Sequence, residues 1–525
     1  MKKITIYKRK GHIALLCAVA MLAGLAGCKK GTFDINGTNP NSPGSVPPQY
    51  SLTSTLAGTA NLLYSAVGYN GATPIGGNQD ILNNWMGYWT QSGGFTPSNT
   101  FVLYQLTSGT GAGNWDAAYN NLSNYHSMLT TVGSTPTLAN YRAVGMIMTA
   151  FVFQRIVDLY NNAPYTSALI VNSKFSYPYD SGSVIYKGIT AKIDSAVAII
   201  KANSSVAVDL GANDVMFGGD MNKWIKFANT LKLKILMRQT QSSANGSLGD
   251  AGVKAALASY TQADFLGVGE DAIVNPGYSN SADNNENPLY LDIDYTTTGS
   301  PGINEVYYRA NAKAVNFYKS TSDPRASAFY LPNNDGIIRG RVYGSTDGTE
   351  ANSVISGITA FGLNASGKPN GPSVGSPIIP ATESLFLQAE AIQRGYLSGD
   401  VLATYKSAVE ESFRLVGAPG GTTAADTYIS QNSSLTNLEV ATNKIQTIIT
   451  QKWAALNGID ALESYSDYRR LGFFDPGVSV YPGNTAAHIP YRLPYPTSEL
   501  NYNAANVPDG GTGTESLTSK IFWMP

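Results

Sequence analysis

Charge is scarce in this sequence: Asp, Glu, Lys and Arg make up 14% of 525 residues, against roughly 25% in an ordinary soluble domain. The 35 basic residues nearly balance the 36 acidic ones, which argues against both a solvated disordered chain and a basic nucleic-acid binder. Two cysteines and three histidines cannot build a zinc ribbon, a disulfide framework or an iron–sulfur site. No metal and no other cofactor is expected. Long apolar runs are also missing, because beyond the first thirty residues no segment reaches 18 consecutive apolar residues. What is plentiful is Gly (53), Tyr (32) and the amide and hydroxyl polarity of Asn, Ser and Thr.

The first thirty residues form a unit of their own. Lys2, Lys3, Lys8, Arg9 and Lys10 precede a fifteen-residue apolar run from Ile13 to Gly27, which is the pattern of a secretory signal peptide and too short for a membrane span of roughly 20 residues. The run ends in Leu25-Ala26-Gly27-Cys28, where small residues give a signal peptidase access and the Cys28 thiol takes a diacylglycerol. Residues 1–27 are therefore expected to be removed, with 28–50 a lipid-anchored flexible tether and 51–525 one helical domain. Cleavage discards five basic and no acidic residues, leaving 30 basic against 36 acidic and a net charge of −6. It also leaves no free thiol, since Cys17 is discarded and Cys28 is acylated.

Helical periodicity dominates the rest. Trp115, Tyr119, Leu122, Tyr125 and Leu129 recur at three- and four-residue spacing, as do Val144, Ile147, Phe151, Ile156 and Leu159 after Pro136, predicting two amphipathic helices. Further helices are predicted over about 183–200, after the N-cap Asp220, from Pro380 at the first helical position, from Asp400 to Val416, and over Ile445 to Leu456. Lys223, Lys226, Lys232, Lys234 and Arg238 fill the positions between Trp224, Phe227, Leu231 and Ile235, and read as a solvated or ion-paired face. Residues 265–380 break the rhythm with Gly, Asn, Pro and Tyr and read as a loop-rich insertion with a few short strands. The fold class is mainly α.

The catalytic motifs that occur do so in the wrong setting. Gly371-Pro372-Ser373-Val374-Gly375 has nucleophile-elbow spacing without a helix directly after it, and Gly362 to Lys368 resembles a phosphate loop but continues into Pro369. Asp292-Ile293-Asp294-Tyr295-Thr296 begins like a calcium loop, yet Thr297 and Ile303 stand at the turn-glycine and glutamate positions. With His126 and His488 the only mature histidines, hydrolysis would fall to carboxylates such as Glu410, Glu411, Glu463 and Asp467. A helical glycoside hydrolase is thus one alternative reading.

Aromatic and amide side chains in the irregular regions suit sugars, whose C–H faces stack on rings and whose hydroxyls need dense hydrogen bonding. Trp85 and Trp89, with Tyr88 between them, lie four apart and would share a face if that segment were helical; the alternative is that they pack in the core. Tyr290, Tyr295 and Tyr343 in the insertion are further candidates for glycan binding.

Several segments resemble the SusD/RagB family of nutrient-binding outer-membrane lipoproteins. They are Phe33 to Asn41 (FDINGTNPN), Asp158 to Tyr165 (DLYNNAPY), Gly218 to Lys232 (GGDMNKWIKFANTLK), Asp323-Pro324-Arg325, Phe386 to Ala391 (FLQAEA), Gln451-Lys452-Trp453 and Tyr468-Arg469-Arg470, in that order behind the lipidated cysteine. The resemblance implies a tetratricopeptide-like helical scaffold with an irregular ligand-binding portion. It further implies a non-enzymatic protein of the outer membrane, facing the cell surface, which caps a TonB-dependent SusC-type transporter and delivers glycans or, in some members, peptides. Lys29-Lys30-Gly31 follow Cys28 in place of the acidic pair often associated with surface export, and Asn161-Asn162 stand where relatives commonly carry Gly-Asp. The shared motifs are helix faces and turns, so the resemblance names no ligand residue.

Overall fold

The computed structural model describes residues 46–65, 78–170, 176–281, 285–293, 304–362, 370–508 and 513–525. The lipidation candidate Cys28 and the candidate Tyr295 lie outside them.

Helix α1 (Pro48–Tyr64) begins inside the expected tether, because Leu52, Leu56, Thr59 and Leu63 form a buried stripe that must dock. After α2 (Asn78–Trp85), β1 (Trp89–Gln91) and the single turn α3 (Asn99–Val102) come the two long helices read from periodicity, α4 (Ala112–Val132) and α5 (Ala139–Tyr160). Their junction is a 3-10 turn at Pro136–Leu138, and α4 buries Trp115, Leu122 and Tyr125 as expected. Helix α5 packs against α4 on one side and α6 (Gly182–Ala202) on the other, which is why it is buried nearly all round. With the preceding turn it is long and apolar enough to cross a membrane, yet 94% of its apolar window is buried inside the protein.

Asp220 caps α7 (Met221–Arg238) by accepting from the amides of Asn222 and Lys223. Helix α8 (Gly249–Leu257), β2 (Ala272–Val274), α9 (Pro288–Ile293), β3 (Tyr308–Ala310), α10 (Ala312–Ser320), α11 (Ala326–Phe329) and β4 (Ser376–Ile379) follow. The insertion is thus loop-rich with short strands, and it adds three helices that its composition did not announce. Antiparallel pairs join β1 to β3 and β2 to β4, so the insertion is stitched to the segment around residue 90.

Helices α12 (Ala381–Gln393), α13 (Val401–Leu415), α14 (Gly421–Ile429), α15 (Lys444–Ala455), α16 (Ala461–Leu471) and α17 (Thr497–Tyr502) complete the scaffold. Pro380 is the N-cap of α12, one position before the site the sequence suggested. Neighbouring helices pack in succession, α4 on α5, α5 on α6, α12 on α13 and α13 on α14, and residues 48–525 form one compact unit. One main core runs through it, with a satellite of Leu236, Val253, Phe265 and Leu387 beneath α8.

Candidate functional site: an aromatic and amide patch at the β1–β3 pair

The glycan candidates around residue 88 are core residues. Helix α2 stops at Trp85, the chain turns at Met86 and Gly87, and β1 starts at Trp89, so the two indoles never share a helical face. Trp85 packs edge-on to Tyr104 and tilted against Tyr465, with centroids 6.2 and 5.8 Å away. Tyr88 is stacked on Trp453 at 5.2 Å and donates to its carbonyl at 2.6 Å, while Trp89 lies 5.6 Å from Tyr308. None of the three is more than 1% exposed. Tyr290 is half-buried against the core, and Tyr343, also half-buried, spends its hydroxyl on the Phe101 carbonyl at 2.8 Å. The crevice beside Tyr343, under Asn84, Thr90 and Phe101, holds about 10 Å³, room for one water at most.

One turn further along, a ring pair does meet solvent. The Ser92 amide donates to the Tyr307 carbonyl at 2.8 Å, extending the β1–β3 ladder, and the Gly93 amide donates to the Glu350 carbonyl at 2.9 Å. A Cβ on Gly93 would stand 2.7 Å from the carbonyl oxygens of both Asp347 and Glu350, so only glycine lets the two loops approach this closely. The turn then presents Phe95, 41% exposed, with its ring edge-to-face on half-buried Tyr307 at 5.1 Å and 73°. Gln91 braces the pair, donating from Nε2 to the Phe95 carbonyl at 2.6 Å and accepting from the Tyr307 hydroxyl at 3.3 Å.

The loop that Gly93 contacts carries polar groups. Buried Arg341 donates to the Gln91 carbonyl at 3.1 Å and lies 3.4 Å from Glu350, whose other oxygen is 3.6 Å from the exposed Arg339 guanidinium. Burial lowers the Arg341 pKa against the pull of Glu350. Exposed Asp347 accepts from the Thr349 hydroxyl at 2.7 Å and amide at 2.9 Å, and those bonds hold its carboxyl below the usual range. A stacking surface next to a loop that carries an exposed guanidinium and an exposed carboxylate is chemically suited to a sugar ring and its hydroxyls. The sequence signal for it was an aromatic after Gly93-Gly94, a turn whose exposure periodicity cannot report.

The carboxylates considered for hydrolysis are occupied elsewhere. Glu463 accepts from Arg238 and Lys452 and lies 3.1 Å from Lys234, Asp467 is 2.7 Å from Arg470 and 3.1 Å from Lys452, and Glu411 accepts from Arg414 at 2.9 Å. Glu410 is 3.6 Å from Lys406. Glu383, Asp460 and Glu463 bring oxygens within 4.8 Å of one another, but the Lys234 ammonium reaches all three at 2.8 to 3.1 Å and is itself the cation of that cluster. Lys234 and Arg238, read from sequence as a solvated or ion-paired face, are therefore ion-paired and fully buried.

A SusD-like family model, described as "Starch-binding associating with outer membrane", matches residues 40–496. The chain belongs to the SusD-like family. No curated protein matches it. Among solved structures, a SusD homologue from Bacteroides fragilis NCTC 9343 superposes with a TM-score of 0.70 at 19% identity, covering 91% of this chain and 99% of that one. A SusD/RagB family protein from Bacteroides thetaiotaomicron VPI-5482 gives 0.68 at 21% identity over 91% and 99%. A chitin-binding SusD homologue from Flavobacterium johnsoniae gives 0.67 at 20% identity over 91% and 98%. The mainly helical SusD-like fold, with few short strands, is common to this chain and these relatives.

Proposed function

We propose that this SusD-like protein is a non-enzymatic glycan receptor, lipid-anchored through Cys28 on the cell-surface side of the outer membrane. It hands oligosaccharides to a TonB-dependent transporter of the SusC type. The reading rests on membership of a family described as starch-binding and associated with the outer membrane, and on one feature of this chain, the exposed Phe95–Tyr307 ring pair beside Arg339 and Asp347. A sugar laid on that surface stacks on apolar ring area and meets donors and acceptors at its rim. Affinity is held down by the cost of ordering a flexible oligosaccharide, which suits a receptor that must release its cargo. Pairing of Glu463 and Asp467 with the buried Arg238 and Arg470, and of Glu411 with the exposed Arg414, disfavours the hydrolytic alternative.

The test is retention of the full chain, purified in detergent, in gels cast with a polysaccharide panel, together with an assay for new reducing ends. Retardation without new reducing ends supports the proposal, and Phe95→Ala or Tyr307→Ala should weaken it roughly tenfold, the size of one interface anchor. New reducing ends would establish a hydrolase, and retention on peptides alone a peptide receptor. Loss of palmitate labelling in Cys28→Ala tests the anchor.

A further inference from the structure

Helices α4, α5 and α6 and the loop after α5 enclose a separate pocket of about 330 Å³, within the range that holds small ligands. One wall is the corner made by Phe153 and Tyr165, whose rings stand at 90° with centroids 4.8 Å apart. Gly188 makes that corner possible, since a Cβ there would lie 2.6 Å from the Tyr165 ring. The lining also includes His126 of α4 and Lys192 of α6.

Lys226, Lys232, Lys234, Lys406 and Lys452 each have a carboxylate within 2.9 Å. Among the described residues Lys192 makes no ion pair, and the downward shift of its pKa has burial as its sole cause. Lys187 and Lys201 of the same helix also make no ion pair among the described residues, but they are exposed, whereas Lys192 is partly buried. The nearest acid in the lining's own hydrogen bonds is Asp180. It is committed to the amides of Tyr165 at 3.1 Å and Thr166 at 2.7 Å and to the Thr166 hydroxyl at 2.9 Å. An ammonium drawn into a pocket without a counter-ion is a place where an incoming anion gains a charge-assisted hydrogen bond. The lining holds no arginine, and its helical residues lie mid-helix instead of at a helix N-terminus, so the donors fit a single carboxylate better than a phosphate dianion.

We propose that this pocket binds a hexuronic acid, its carboxylate held by Lys192 Nζ and the His126 imidazole and a C–H face of its ring set against the Phe153–Tyr165 corner. The site is independent of the Phe95–Tyr307 patch and gives the protein a second, acid-specific recognition element. Isothermal titration of the full chain with D-galacturonic acid, D-galactose and acetate tests it. Galacturonate should bind at least about tenfold more tightly than galactose, the scale of one charge-assisted hydrogen bond, and more tightly than acetate, which has the carboxylate but no ring to set against the corner. Lys192→Met should remove that preference and Lys192→Arg largely restore it, with Phe95→Ala unchanged and folding confirmed by circular dichroism. Equal binding of galacturonate and galactose, or full affinity in Lys192→Met, would overturn the proposal. Acetate binding as tightly as galacturonate would overturn its sugar part, and loss of galacturonate binding in Phe95→Ala would place the acid on the patch instead.

Discussion

Lys234 Nζ lies 2.8 Å from Glu383 Oε1 with neither side chain more than 1% exposed. The same ammonium reaches Asp460 and Glu463 at 3.1 Å each. Four helices therefore meet through charge: Lys234 from α7, Glu383 from α12, Glu463 from α16 and Lys452 from α15. Desolvating these groups is costly, and their mutual pairing offsets that cost. Lys234→Met should accordingly leave three crowded carboxylates and cost about 3–5 kcal/mol, read from the urea midpoint. A loss below about 1 kcal/mol would mean that the carboxylates protonate or rearrange without strain.

Acid and base should each weaken this network, through different carboxyls. Burial alone would raise Glu390, but Arg470 at 2.6 Å holds it down at about 2, against an ordinary 4.5. A carboxyl depressed in the folded state stabilises above its unfolded pKa, so this contribution is complete above about 4.5 and is lost as the pH falls toward 2. Glu383 is pushed by burial up to about 7. Its contribution is complete below about 4.5 and is lost as the pH rises through 7. Urea midpoints across a pH series should thus flatten between 4.5 and 7 in Glu383→Gln, and flatten below 4.5 in Arg470→Met. An unchanged slope in either variant would remove that group from the pH response.

Helices α4, α5, α7, α13 and α15 were legible in sequence because their buried faces are apolar at 3.6-residue spacing. Helix α16 was not: its buried residues include Glu463, Asp467, Arg469 and Arg470, so a hydrophobic pattern cannot reveal it, although Tyr468-Arg469-Arg470 carried part of the family resemblance. The aromatic candidates failed for a related reason. Trp85, Tyr88 and Trp89 have the composition of a sugar platform, but composition does not say which ring a tertiary neighbour covers, and Trp453, Tyr104 and Tyr308 cover these three. Phe95 escapes cover because the turn it ends is built from Gly93 and Gly94, which contribute no side chain to bury it.

Residues 521–524 fold back into the core near the end of α5, where the Trp523 indole donates to Asp158 Oδ1 at 3.0 Å. Asp158 also accepts from the Tyr186 hydroxyl at 2.5 Å and from Arg238 Nε at 3.0 Å. Trp523→Phe keeps much of the apolar contact and deletes one donor to a buried carboxylate. It should cost about 1–3 kcal/mol, within the range for a hydrogen bond to a charged group. Trp523→Ala should cost more, about 3–5 kcal/mol, because a cavity is added to the lost bond. Equal losses in the two variants would assign the whole effect to the hydrogen bond.

Gly93 provides the sharpest separation between having the Phe95 ring and aiming it. Alanine there would place Cβ 2.7 Å from two backbone oxygens, those of Asp347 and Glu350, and backbone cannot swing aside as a flexible side chain does. The loop carrying Arg339, Asp347 and Glu350 must therefore move away from the turn carrying Phe95, although every side chain of the patch remains present. Gly93→Ala should weaken retention in a glycan gel about as much as Phe95→Ala, roughly tenfold. Its urea midpoint should nevertheless stay close to that of the parent, because the clash lies at the rim of the β1–β3 pair and not in the core. Full retention in Gly93→Ala together with loss in Phe95→Ala would mean that the ring acts alone and that the opposing loop contributes nothing to the sugar.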